Sequence, residues 1–218
     1  MNIPFTTELF LEVFKEYNQA VFPMQIVFYL MSIVVIYLTV KSSANSGKFV
    51  SGILAFFWLW MGIVYHISFF TAINKAAYFF GAAFILQGIL FLILGVFLNR
   101  FSFKIRPCTY GITGIILILF ALIVYPVLGY TAGHIYPYSP TFGLPCPTTI
   151  FTFGLLLLND KKCPVTILVI PFLWSVAGFS AAFNFRMTED TGFLVSGLIT
   201  FAMLILRNRI LNGKIIEK

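Results

Sequence analysis

Two histidines and a cysteine carry most of the reactive chemistry this chain offers: His66, His134 and Cys146. Imidazole and thiolate are ligands for borderline and soft ions such as zinc or copper, so a fold that gathered the three would have a metal site. Their spacing is long-range and matches no compact metal motif. The competing reading is that His and Tyr near the membrane surface simply hydrogen-bond to loops. His66 lies in "WLWMGIVYHISFF", where Trp58, Gly62, Tyr65, His66 and Phe69 share one helical face. It is also the one side chain in the apolar runs that titrates near neutral pH, which would make binding pH-sensitive. His134 lies in "GYTAGHIYPYSPT" among Tyr130, Tyr136 and Tyr138.

Cys146 sits between two prolines in "TFGLPCPTTIF". Pro147 suits the first turn of a helix, where its missing N–H would be unpaired anyway. Pro145 restricts the residue before it and fixes the approach of the chain. Cys146 is then expected at or near the N-cap, with the N–H groups of Thr148 and Thr149 pointing outward. Such a helix end attracts anions and favours a thiolate. "PCPTT" is therefore an anion or carboxylate contact, a reactive thiol, or only a proline-defined helix start in which Thr148 and Thr152 bond back to carbonyls. The expected ligand-binding set is His66, Trp58, Tyr65, Tyr130, His134, Cys146, Thr148 and Thr149, giving apolar walls with a few polar groups. Glu189 and Asp190 complement the dipole of the helix that follows them.

No catalytic residue is assigned, and the cofactor is left unassigned. Ser196-Gly197 lacks the glycine two residues before the serine that a nucleophile elbow requires. Cys108 and Cys163 start apolar runs at the end of the bundle opposite Cys146, too far for a disulfide.

The elements that must position these residues follow from composition. Hydrophobic residues make up 60% of the chain and charged residues only 10%, against about a quarter charged in soluble domains. The expectation is an all-α, multi-pass membrane protein whose main partner is the lipid bilayer, with no nucleic acid involved. Alternating lumen/lipid patterning is missing, so a β-barrel is not expected. Residues 1–20 hold Glu8, Glu12 and Glu16 against Lys15 alone, unlike a cleavable signal, and no cleavage is expected.

Uncharged apolar runs occupy Val21–Val40, Phe49–Phe70, Ala76–Leu98, Cys108–Leu128, Phe142–Leu158, Pro164–Phe183 and Thr191–Leu206. Each is near the length of a helix crossing about 30 Å. Phe142–Leu158 and Thr191–Leu206 are short, and the last can lengthen if Arg207 and Arg209 snorkel. Residues 129–141 are rich in Gly, Pro and Tyr, which splits the fourth run from the fifth. Seven spans then put Lys41, Lys48, Arg100, Lys104, Arg106, Lys161, Lys162, Arg207, Arg209, Lys214 and Lys218 on one side, leaving Lys15, Lys75 and Arg186 on the other. That asymmetry predicts an N-terminus outside and a cytoplasmic C-terminus.

Residues 6–19 place Leu9, Phe10, Val13, Phe14 and Tyr17 on one helical face and the glutamates on another. The expected organisation is an amphipathic segment, 1–20, across the outer mouth; a seven-helix domain, 21–207; and a basic cytoplasmic tail, 208–218. Gly81, Gly88 and Gly95 share a face, as do Gly192, Ser196 and Thr200, and Gly111 and Gly114 are close by in another run; all predict close helix packing. A weak internal likeness aligns Trp60 with Trp174.

"GHIYPYSPTFGLPCPTTIFTFGLLLL", with "WLWMGIVYHISFFTAIN", resembles a family of small bacterial integral membrane proteins of uncharacterised function, some of whose members carry a permease label. The resemblance implies a multi-pass protein of the bacterial inner membrane and supplies no catalytic residues. The runs contain no Asp, Glu, Lys or Arg, which argues against ion-coupled transport. The expectation is a small permease or transporter component for a neutral or weakly polar solute. The alternative is a sensor or assembly factor that binds a metal or small ligand at the outer mouth.

Overall fold

Each of the seven apolar runs holds one helix, and an eighth precedes them. The structure is a computed structural model that describes residues 5–185 and 187–216. The helices are α1 (Thr7–Ala20), α2 (Met24–Lys41), α3 (Ser46–Ala72), α4 (Ala77–Phe97), α5 (Thr109–Thr131), α6 (Pro145–Leu157), α7 (Thr166–Phe185) and α8 (Thr191–Ile216). Among the described residues there is no strand beyond two isolated bridges. Five helices, α2 to α5 and α8, are long and apolar enough to cross a membrane.

α6 departs from the expectation of a full-length span. Its 13 residues make about 20 Å of helix, short of the ~30 Å hydrocarbon core. Every residue in it except Cys146 is buried. It is sheathed by α5 and α8 on the way, so its neighbours, not its own length, keep its backbone from lipid. Arg207 does not behave as a free snorkelling end either. It donates to the Leu157 carbonyl at 3.2 Å and lies over the Tyr110 ring, placing a cation at the C-terminus of α6. α8 continues into the basic segment from residue 208 as far as Ile216.

Small residues set the helix seams. A Cβ on Gly154 of α6 would come within 2.7 Å of the Gly114 carbonyl of α5, and one on Gly114 within 2.8 Å of the Gly154 carbonyl. Only glycine at both positions lets the two backbones approach this closely. Gly81, Gly88 and Gly95 likewise pack on α3, as their common face predicts.

Connections gather at two ends. At one, residues 98–108 pair with 158–163: Lys104 N–H donates to Leu158, Asp160 N–H to Ser102, and Asn159 accepts from Ser102 N–H at 2.9 Å. At the other, Asn18 at the end of α1 donates to the Pro137 and Ser139 carbonyls and accepts from Thr141. Near that second end α3 widens. Over Met61–Phe69 its backbone bonds shift to the i→i+5 pattern, so Phe70 N–H reaches the Tyr65 carbonyl; the Ser68 hydroxyl donates to the Ile63 carbonyl. Such widened turns are rare and concentrate at functional sites. This one carries Tyr65 and His66.

Candidate functional site

The amphipathic helix α1 buries Val13, Phe14 and Tyr17 against the bundle, with Glu8 and Glu16 outward. Leu9, expected on the apolar face, is 49% exposed. Tyr17 packs edge-on to Tyr65 and Phe69 and accepts from Trp60 Nε1 at 2.9 Å. Beneath α1 lies a cavity of about 280 Å³. Most of its aromatic lining comes from four helices, Phe10 and Phe14 of α1, Tyr65 and Phe70 of α3, Phe80 of α4 and Trp174 of α7, with Phe5 ahead of α1 and Tyr125 of α5. Its polar lining includes Tyr125 of α5, Cys146 of α6 and Asp190, the last residue of a short turn (Thr188–Asp190) before α8.

The polar groups are linked. Tyr125 OH donates to Asp190 Oδ1 at 2.6 Å, and the Cys146 thiol also interacts with Asp190. Glu189, fully buried, meets His134 Nδ1 at 2.8 Å through Oε1, while its Oε2 has no partner. Burial pushes the Asp190 carboxyl up to about 7. The bonds from Tyr125 and Cys146 work against that shift, and the neighbouring Glu189 charge adds to it. A carboxyl on the edge between neutral and charged thus faces an aromatic chamber.

The eight residues singled out from the sequence separate into three groups. Tyr65 and Cys146 line the cavity. Tyr130 and His134 line a smaller recess of about 210 Å³ on the other side of Tyr125. Trp58, His66, Thr148 and Thr149 lie inside the packing and touch neither space. Trp58 donates to Thr152 Oγ1 at 3.2 Å and stacks near Phe84. His66 is enclosed by rings, with Phe84 at 4.6 Å and Trp174 at 5.1 Å edge-on, and neither ring nitrogen has a hydrogen-bond partner. An imidazole N–H against aromatic faces is a weak but recurrent contact.

The three residues of the metal expectation lie apart. His66, His134 and Cys146 are not gathered; His134 faces Glu189, Cys146 faces Asp190, and His66 faces hydrocarbon. Among the described residues no group of three or more His, Cys, Asp or Glu is placed to hold an ion.

At "PCPTT" the local bonds are those of a proline-defined helix start. Leu144, not Cys146, is the N-cap, so Pro145 and Pro147 occupy the first and third helical positions. Two prolines remove two of the donors that a helix start would offer. Thr148 N–H is already bonded to the Leu144 carbonyl, and its Oγ1 accepts from Gly143 N–H. Thr152 bonds back to the Thr148 carbonyl, as the helix-start reading expects. The prolines bracket Cys146 because they blunt this helix end while presenting the thiol to the cavity.

Sequence reasoning missed Tyr125, Asp190, Trp174 and the direct part of α1 in the wall. The available signal was the pair Glu189–Asp190: two acids between apolar runs need partners, and a helix dipole serves carboxylates near its end without requiring them buried.

No curated protein and no solved structure matches the chain. Residues 7–214, nearly the whole sequence and both stretches that carry the resemblance, match one family model. The chain belongs to that family, described as a family of unknown function, DUF6064.

Proposed function

We propose that the protein is a multi-pass membrane receptor for a small, mainly apolar molecule with a polar head, held in the chamber under α1. The observation that carries this reading is the aromatic cavity with Asp190, Tyr125 and Cys146 in its lining. A space of about 280 Å³ stands at the low end of small-ligand pockets, which run about 300–1,000 Å³. Apolar walls with a few polar groups fit that class of site. Permeation gains no support from the small-residue seams, which are filled by facing helices.

The proposed setting is a bacterial inner membrane, crossed seven times, with α1 and the chamber outside. The eleven basic residues on the opposite side support it. α6 would complete its passage inside a protein sheath. A topology reporter placed after Lys218 should read cytoplasmic and one near Ser139 external; a cytoplasmic reading at Ser139 would overturn the arrangement.

The binding test uses the full chain in nanodiscs and a neutral aromatic alcohol, 3-phenylpropanol. The expected result is a saturable change in Trp174 fluorescence and a raised melting temperature. Ala177, in the lining, replaced by Trp should fill the space and abolish both. Binding that survives Ala177→Trp unchanged would sink the proposed chamber.

A further inference from the structure

Resting on that receptor reading, we infer that the occupant is an organic cation, an alkylated ammonium whose arms fill the aromatic chamber while its charge faces Asp190. Six rings in the lining, Phe10, Phe14, Tyr65, Phe70, Phe80 and Trp174, come from four separate helices. Most touch one another: Phe10 to Phe14 at 4.6 Å, Tyr65 to Phe70 at 5.7 Å, Phe80 to Trp174 at 5.3 Å. A cation within about 6 Å of such ring centroids is attracted by the ring quadrupole, most strongly by Trp, and more strongly still when water is excluded. Quaternary ammonium groups are the ligands that use this interaction best, because they carry charge without needing hydrogen bonds.

The polar lining selects for the same sign. Among the described residues no Lys, Arg or His lines the cavity. Two of the donors in the lining, Tyr125 OH and the Cys146 thiol, are directed to Asp190, and the others, Trp174 Nε1 among them, are neutral. An anion would meet that carboxyl and, behind it, buried Glu189. A neutral molecule would leave the carboxyl without an opposite charge; a cation supplies one.

Proton linkage follows. The groups facing Asp190 are Tyr125 from α5, Cys146 from α6 and Tyr65 from α3, with Glu189 beside it and His134 behind Glu189. The only basic group in this set, His134, is held by Glu189. A cation in the chamber favours the ionised carboxyl, so its uptake drives a proton off Asp190, and affinity should rise with pH through about 7.

The test compares benzyltrimethylammonium with neopentylbenzene, its neutral isostere, on the full chain in nanodiscs at pH 6 and pH 8. At pH 8 the cation should bind at least ~10-fold more tightly than the isostere. At pH 6 that preference should shrink severalfold. Asp190→Asn, which keeps the shape and an acceptor for Tyr125, should erase the preference and its pH dependence. An isostere that binds as well as the cation at pH 8 overturns the cation and leaves the receptor reading standing. Failure of both probes to bind overturns both. If Asp190→Asn does not accumulate, the pH comparison on the native chain decides alone.

Discussion

The two ends of this bundle use polar groups in opposite ways. At the end formed by residues 98–108 and 158–163, backbone and side chain close on each other. Asn159 accepts from the N–H groups of Ser102 and Lys161 and donates to the Lys161 carbonyl. Asn208 holds both the N–H and the carbonyl of Cys163, and Arg106 pairs with Asp160. Phe101 and Phe103 are buried beneath. At the α1 end the cover is a helix laid over the opening by aromatic side chains, and the Asp190 carboxyl below it faces a cavity. The closed end commits most of its polar atoms to structure, with two nitrogens of Arg207 left over. The α1 end leaves one oxygen of Glu189 without a partner and a carboxyl of elevated pKa beside empty aromatic surface. Buried polarity that the fold does not need for itself marks where a ligand is to be sought.

The comparison breaks most visibly at Asn159. Replacing it by Ala leaves the half-buried Ser102 N–H and the Lys161 N–H without their acceptor, a loss of about 3 kcal/mol. The expected outcome is a large fall in the abundance and melting temperature of the protein. Probe affinity per folded molecule should stay the same, because Asn159 lies at the end away from the chamber. A drop in affinity without a drop in stability would erase the division between the ends. Phe14→Ala should do the reverse in kind. Its side chain is 5% exposed, packs on Phe10 and lines the chamber. Truncation should cost about 3 kcal/mol, reduce probe affinity, and make α1 more susceptible to proteolysis. Intact affinity in Phe14→Ala would mean that the amphipathic helix is not part of the site.

The sequence resolves the first of these regions poorly and the second unevenly. Periodicity places all eight helices, and the acidic and apolar faces of α1 are legible because its charges recur at helical spacing. Charge tells which segments are connections. What no periodicity reports is how far a helix is shielded by others, so α6 reads as an ordinary apolar run although its 13 residues are enclosed. The site is legible only where composition is unusual. "PCP" correctly marks Cys146, but its helix register is displaced by two residues, since either proline can occupy a first-turn position. His66 attracts notice as a rare titratable residue in an apolar run, yet it lies among Phe84 and Trp174. Tyr125 is one aromatic in an apolar run, and nothing local reveals that its hydroxyl meets a carboxyl 65 residues later.

Asp190 sharpens the contrast through pH. Its folded-state pKa is raised, from the model-compound value of 3.8 up to about 7. A folded carboxyl that holds its proton more tightly than the unfolded chain stabilises the folded state fully below about pH 4. That contribution falls as pH rises through about 7. Between pH 6 and pH 8 the loss should be about 1.4 kcal/mol. The melting temperature of the empty protein should therefore decline over that interval, and the Asp190→Asn variant should lack this component of the decline. A wild-type curve that rises from pH 6 to pH 8 would place the carboxyl in its charged form and remove the elevated group from the chamber.

Tyr130 gives the smallest expected effect and the finest test of where the site ends. It lines the recess on the far side of Tyr125, together with His134, and is 65% exposed. Its hydroxyl has no geometric link to Asp190, whereas the Tyr125 hydroxyl does. Substitution of an exposed residue away from buried partners usually changes stability by no more than about 0.5 kcal/mol. Tyr130→Phe should thus leave melting temperature and probe affinity where they were, while Tyr125→Phe should weaken probe binding and shift its pH dependence by removing a bond that favours the charged carboxyl. The pair differs only in which tyrosine loses an oxygen, so lipid, helix length and ring packing are held nearly constant. Should Tyr130→Phe reduce affinity as much as Tyr125→Phe, the two spaces either side of Tyr125 act as one site, and His134 with its partner Glu189 belongs to the ligand's surroundings directly.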